Sequence, residues 1–186
     1  MPATLSARDR ILDAFEELLI EQSERAATLD AVAKQAGVSK GGLLYHFASK
    51  EALVDGVLER LDGLAERDLE QMRNAPAGTV DYFIRTSVTA QNSLDRTIIA
   101  VARLAQGAST RAREALQRMQ HAWLSVIEET VKDPAVARLV MLLGDGMYYN
   151  SVLLPSAGSI IGSDDDMDRL IDLINRLVRD SAGEGS

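Results

Sequence analysis

The segment Thr28–Lys50 reads TLDAVAKQAGVSKGGLLYHFASK, and its punctuation decides the fold. Thr28 suits the N-cap of a short helix from Leu29 to about Ala36, and Gly37 stops that helix with the tight or left-handed backbone a turn needs. Ser39 caps a second short helix, Lys40 to about Phe47. Ala33 is small where the two helices would cross, and Val38 plugs the angle between them. Two helices of about eight residues joined by Ala36-Gly37-Val38-Ser39 have the dimensions of a helix-turn-helix. In that motif the first helix braces on duplex phosphates and the second enters the major groove.

Outward from this segment the apolar residues recur with a helical period, so the chain reads as all-α, with about nine helices. Ile11, Leu12, Phe15, Leu18 and Leu19 share one face of a helix from Ala7 to Gln22, opened by Ser6 and Asp9 in an S-x-x-D capping pattern. Ser49 opens a long helix carrying Leu53, Val57, Leu61 and Leu64, which ends before Ala75-Pro76-Ala77-Gly78, the strongest break in the chain. Beyond it one helix carries Val80, Phe83, Ile84 and Val88, another follows Ser93, and a third carries Leu116, Met119, Trp123, Ile127 and Val131 after Gly107-Ala108-Ser109. Asp133-Pro134 is a start signal, because Asp can cap and proline at the first helical position loses a bond that was missing anyway. The helix it opens, Pro134–Leu154, carries Val136, Leu139, Val140, Leu143 and Met147. A loop from Pro155 to Gly162 precedes the last helix, Asp165–Arg179, which Ser163 and Asp166 open and which carries Leu170, Ile171, Ile174, Leu177 and Val178. The tail Ala182–Ser186 is expected to fray.

A chain of 186 residues can bury a core without a disulfide or metal staple. Cysteine is absent and His46 and His121 are the only histidines, which excludes disulfide frameworks, zinc fingers and thiolate nucleophiles. No apolar run approaches the roughly 20 residues of a membrane helix, and Met1–Leu12 places Arg8, Asp9 and Arg10 where a secretion signal needs apolar residues. The expected compartment is therefore the cytoplasm. A net charge of −8 argues against nucleic acid only if it is evenly spread, and it is not. Residues 25–50 hold Arg25, Lys34, Lys40 and Lys50 against Asp30, a net +3, whereas residues 1–24 carry −4 and residues 51–186 carry −7. The positive island coincides with the helix-turn-helix, as a footprint on phosphate should.

Thr28, Val32-Ala33, Ala36-Gly37-Val38-Ser39, Gly41, Leu43, Tyr45-His46-Phe47 and Lys50-Glu51-Ala52-Leu53 together resemble the N-terminal domain of the TetR family of bacterial transcriptional repressors. The direct match covers roughly Ala7 to Leu61; the rest resembles the family in length, helicity and acidity. The resemblance implies a DNA-binding domain, 1–50, and a ligand-binding and dimerisation domain, 51–186. It implies a homodimer through the last two helices, a near-palindromic double-stranded operator, a small-molecule inducer of unknown identity, and no cofactor. Binding of the inducer would shift the long helix after Lys50 and so change the spacing of the two DNA-binding domains. The DNA-contacting set is then Thr28, Ser39, Lys40, Gly41, Gly42, Leu44, Tyr45, His46 and Lys50. Thr28, Tyr45, His46 and Lys50 are assigned to phosphates, Lys40 to a base edge such as guanine O6/N7, and Leu44 to a thymine methyl. The family often has Thr, Ser or Ala at Gly42 and Tyr at Leu44. Paired glycines cost a helix about 1 kcal/mol each relative to alanine. With few base-reading side chains left, readout is expected to use DNA shape, or a second helix that orders fully on binding.

Other motifs carry less. Gly144-Asp145-Gly146 follows a helix rather than a strand and lacks a phosphate loop's lysine, and Asp164–Asp168 lacks the glycine and glutamate of a calcium loop. Acidic residues at a helix start explain the latter through the helix dipole. His121 has no second ligand nearby for a metal, and no G-x-S-x-G nucleophile signature occurs, so no catalytic residue is assigned. Phe83, Trp123 and Tyr148, with Met119, Met141 and Met147, suit either core or an adaptable apolar cavity. Gln91, Asp95 and Asn150 are the polar candidates for orienting a ligand, so the ligand-binding set is headed by Phe83, Gln91, Trp123, Met147 and Tyr148. Two other readings are a helical enzyme or carrier without DNA binding, and a DNA-bound interaction platform without an inducer.

Overall fold

The computed structural model describes residues 6–88, 92–107, 109–153 and 163–183. Among them the chain forms nine α-helices and no strand: α1 (Ala7–Glu21), α2 (Leu29–Gln35), α3 (Lys40–His46), α4 (Lys50–Arg73), α5 (Thr79–Thr86), α6 (Ser93–Gln106), α7 (Thr110–Thr130), α8 (Pro134–Tyr148) and α9 (Asp164–Gly183). No helix among these residues is long and apolar enough to cross a membrane.

Most helices start where local capping chemistry dictates. Thr28 Oγ1 accepts from the Ala31 N–H at 3.2 Å, Ser39 Oγ from Gly42 at 3.0 Å and Ser49 Oγ from Ala52 at 3.2 Å. Asp133 Oδ1 accepts from Ala135 at 2.7 Å, with Pro134 in the first helical turn. α6 is capped by Asn92 rather than by Ser93: Asn92 accepts from the Asp95 N–H at 2.9 Å and Asp95 accepts from the Asn92 N–H at 3.2 Å. That reciprocal pair satisfies two otherwise unpaired donors of the first turn.

Two departures concern the C-terminal helices. α8 ends at Tyr148, and a π-helical turn, Tyr149–Leu153, replaces the α-helix expected through Leu154. Asn150 Nδ2 takes the Gly146 carbonyl at 2.7 Å, the acceptor that its own backbone N–H would use in an α-helix, and the ladder widens there. α9 runs past Arg179 into the expected fraying tail, to Gly183. The expected Pro155–Gly162 loop lies outside the described residues.

Packing divides the chain into two units, Met1–Ala65 with Asn92–Arg118, and Glu66–Gln91 with Met119–Ser186. The boundary between these units falls within α4 and within α7. In the first unit α1 packs on α2 and α6, and α2 packs on α3. Its core takes Ile11, Leu12, Phe15, Leu18, Leu19, Val32, Leu43, Phe47, Leu53 and Val57. In the second unit α5 packs on α8 and α9, and α8 on α9, around Ile84, Ile127, Val131, Val140, Met141, Ile171 and Ile174. Gly144 sets how closely α5 and α8 approach, because a Cβ there would lie 2.3 Å from Phe83 Cε1. The glycine pair that resembles part of a phosphate loop therefore includes a packing requirement.

Candidate nucleic-acid interface

The turn between α2 and α3 has the geometry its sequence calls for. Gly37 sits at φ +64°, a left-handed conformation that costs a residue with a Cβ, and the Val38 N–H returns to the Ala33 carbonyl at 3.0 Å. α3 is helical throughout Lys40–His46, with both glycines inside it. Leu43 and Phe47 anchor it to the core, which turns Lys40, Gly41, Leu44, Tyr45 and His46 outward. Tyr45 is 86% exposed, with its ring edge-on to His46 at 5.1 Å between centroids. Thr28 and Ser39 are exposed cap residues, and Gly42 is half-buried.

The two lysines assigned to DNA are both engaged within the chain. Lys40 Nζ lies 2.9 Å from Asp30 Oδ1 and donates to Oδ2 at 3.2 Å, joining the first turn of α3 to the first turn of α2. Lys50, half-buried at the start of α4, donates to the Glu24 backbone carbonyl and lies 3.8 Å from the Glu24 carboxylate. Its ammonium therefore ties α4 to the connection between α1 and α2.

Behind this surface lies a buried charge cluster that sequence reasoning missed. Glu16 on α1 has a side chain only 2% exposed, with Arg60 of α4 at 3.3 Å, Arg96 of α6 at 3.5 Å and a hydrogen bond from Thr97 Oγ1 at 2.9 Å. Arg60 also reaches Asp13 at 2.6 Å. Burial pushes the Glu16 carboxyl above its ordinary range, with Arg60, Thr97 and Arg96 opposing. A visible signal was its position: Glu16 follows Phe15 and comes four residues after Leu12, on the margin of the apolar face of α1.

In the second unit Phe83 and Met147 are buried, Trp123 packs against them, and the Phe83 and Trp123 rings lie 6.1 Å apart. Tyr148 is half-buried and its hydroxyl is buried. Gln91 lies outside the described residues. Asp95 does not join this group, since it is buried in the first unit as part of the α6 cap, and Asn150 is held by the Gly146 carbonyl. The polar centre here is instead Asp68 of α4, which accepts from Trp123 Nε1 at 2.8 Å and from the Tyr82 hydroxyl at 2.8 Å. Burial, together with the bond to the Asp68 carboxylate, raises the Tyr82 hydroxyl well above its ordinary value. Asp68 continues the stripe Val57, Leu61, Leu64 at helical spacing, and a carboxylate on a core-facing stripe was the signal for it. Burial also raises the Asp145 carboxyl, opposed by a hydrogen bond from Gln120 at 3.2 Å.

The family model for bacterial regulatory proteins of the tetR family matches residues 11–57, which take in most of α1, all of α2 and α3, and the first turns of α4. The transcriptional repressor KstR2 of Rhodococcus jostii is 31% identical over 137 residues, 68% of this chain and 66% of that one. The chain belongs to the TetR family. The transcriptional regulator UidR of Escherichia coli is 34% identical over 84 residues, which span 44% of this TetR-family chain and 41% of that relative. Salmonella enterica GusR has the same fold, with a TM-score of 0.65 at 20% identity across 96% of this chain and 98% of that one. These TetR-family relatives are regulators, not enzymes.

Proposed function

We propose that this TetR-family protein is a cytoplasmic, ligand-responsive transcriptional repressor that binds a near-palindromic operator as a homodimer. The observation that carries the reading is α3: a helix anchored by Leu43 and Phe47 that presents Lys40, Leu44, Tyr45 and His46 outward beside the exposed cap residue Thr28. A short helix with this exposed polar face suits a major groove, with the caps and ring donors on flanking phosphates. An account of α3 as a brace for a catalytic cavity leaves Tyr45, the most exposed large apolar side chain among the described residues, without a role.

The homodimer reading rests on α8 and α9. Leu139 and Leu142 stand exposed one turn apart on α8, Tyr149 follows two turns later, and Leu173 and Leu177 are exposed on α9. Leu142 is 68% exposed, and a row of such residues suits burial against a second copy, as a two-fold bundle would provide. The inducer reading assigns the ligand to the aromatic region around Phe83, Trp123, Tyr148 and Met147, with Asp68 as an orienting acceptor. Release of DNA requires the ligand to prefer the non-binding spacing of the two α3 helices, and coupling of about 1–3 kcal/mol is typical.

The test is a gel shift with the promoter regions flanking the protein's own gene. Retarded DNA that is lost with Lys40→Ala supports the reading. No retardation of any flanking region removes it.

A further inference from the structure

Residues 25–50 contain one carboxylate, Asp30, and the structure puts it on the lysine best placed to enter the groove. Lys40 Nζ sits 2.9 Å from one Asp30 oxygen and 3.2 Å from the other, while the two side chains remain 60% and 73% exposed. No packing demands the pair: both side chains project from first turns of short helices, and each helix has its own cap in Thr28 or Ser39. Water at this exposure weakens the attraction enough for a stronger acceptor to displace Asp30. While the pair persists, Lys40 and Asp30 cancel, and the +3 of residues 25–50 that a passing phosphate meets is carried by Arg25, Lys34 and Lys50.

We infer that Asp30 is a specificity-determining residue, an internal counter-ion that withholds Lys40 from backbone phosphate and releases it to a base edge. A phosphate attracts Lys40 but repels Asp30, so non-specific DNA gains little from breaking the pair. A G·C pair offers more: guanine O6/N7 accept from the ammonium, and the adjacent cytosine N4 amino group donates to the carboxylate. The pair is thus a donor beside an acceptor, complementary to a base-pair edge and poorly matched to the sugar–phosphate chain. Asp30 touches DNA in this account only through that edge; on other sequences it acts through Lys40.

This inference rests on the DNA-binding reading, and the experiment separates the two. Binding of a random-sequence 30-base-pair duplex is followed by fluorescence anisotropy from about 50 to 200 mM salt for the wild type, Asp30→Asn, Lys40→Ala and the double variant. Asp30→Asn keeps the side-chain shape and frees Lys40, so it should bind this duplex more tightly. The salt dependence should steepen by about 0.9 per protomer, roughly a 3.5-fold greater loss of affinity over that salt range. In the Lys40→Ala background the same substitution should gain far less, because the lysine it releases is gone. An equal gain in both backgrounds would show that Asp30 only repels DNA at long range, and would overturn the inference. An unchanged affinity in Asp30→Asn would overturn it as well. If wild type and Asp30→Asn both fail to bind the duplex at the lowest salt, the DNA-binding reading falls and takes the inference with it.

Discussion

Glu16 on α1 and Asp30 on α2 both face basic side chains in the same unit, and they use that chemistry in opposite ways. Glu16 is enclosed, and its partners come from α4 and α6, so it fastens three helices that are far apart in sequence. Asp30 stands in water opposite a single lysine ten residues away. Low dielectric raises the stakes of every contact Glu16 makes, including the cost of leaving any partner unmatched, while solvent lets the Asp30 pair exchange. The buried carboxylate belongs to the frame of the unit, and the exposed one belongs to its binding surface.

The most severe way to probe the contrast is Glu16→Ala. It strips the carboxylate from Arg60, Arg96 and Thr97 and leaves a gap in the core. Arg96 is 43% exposed and can turn to water, so a loss of about 3 kcal/mol is expected, the low end for a broken buried pair. Urea denaturation measures it, and an unchanged midpoint would put Glu16 in the same class as Asp30.

Asp68 lies between the extremes, half-buried and bonded to neutral donors. Trp123→Phe keeps most of the ring and removes the Nε1 donor, and should cost about 1.5 kcal/mol, as for a hydrogen bond to a charged group. A loss under about 0.5 kcal/mol in urea denaturation would place Asp68 with the solvent-exposed carboxylates instead.

Acid titration sharpens the contrast further. The folded state holds the Glu16 proton more tightly than the unfolded chain, because burial raises its carboxyl above the ordinary value near 4.5. Stability should therefore fall as pH rises from that value through the raised one, and level off above it. Asp9 works in the opposite sense: the Ser6 hydroxyl holds its carboxyl low, and burial only partly opposes this. The informative quantity is thus the difference between wild type and Glu16→Gln across about pH 4 to 7. A difference that falls with pH supports the buried charge, and a flat one contradicts it.

Asp30→Asn should have the smallest effect on folding, within about 0.5 kcal/mol in the same denaturation experiment, as for an exposed pair. A larger loss would mean that the Lys40 contact holds α2 to α3, and would weaken its assignment to the binding surface.

What the sequence made legible follows the range of the forces involved. Caps at Thr28, Ser39, Ser49 and Asp133 act over two or three residues, so each helix start could be read directly. Asn92 escaped because Ser93 beside it is an equally good cap by type, and the same error left Asp95 looking free for a ligand. The apolar faces were legible through their period, but the polar residues on them were passed over at Glu16 and Asp68, where a break in the pattern carried the information. Lys40 and Lys50 were identified as cations, yet their engagement by Asp30 and Glu24 depends on how the chain returns through two turns. Gly144 needed the position of Phe83, 61 residues earlier in the chain, to explain it.

The claim that α3 is a reading head carried in pairs is tested most directly by hydroxyl-radical footprinting on the DNA flanking the gene. The account predicts two protected half-sites related by approximate two-fold symmetry, with centres about 10 base pairs or a multiple apart, both lost with Lys40→Ala. A single protected site, or protection that Lys40→Ala leaves unchanged, would contradict it.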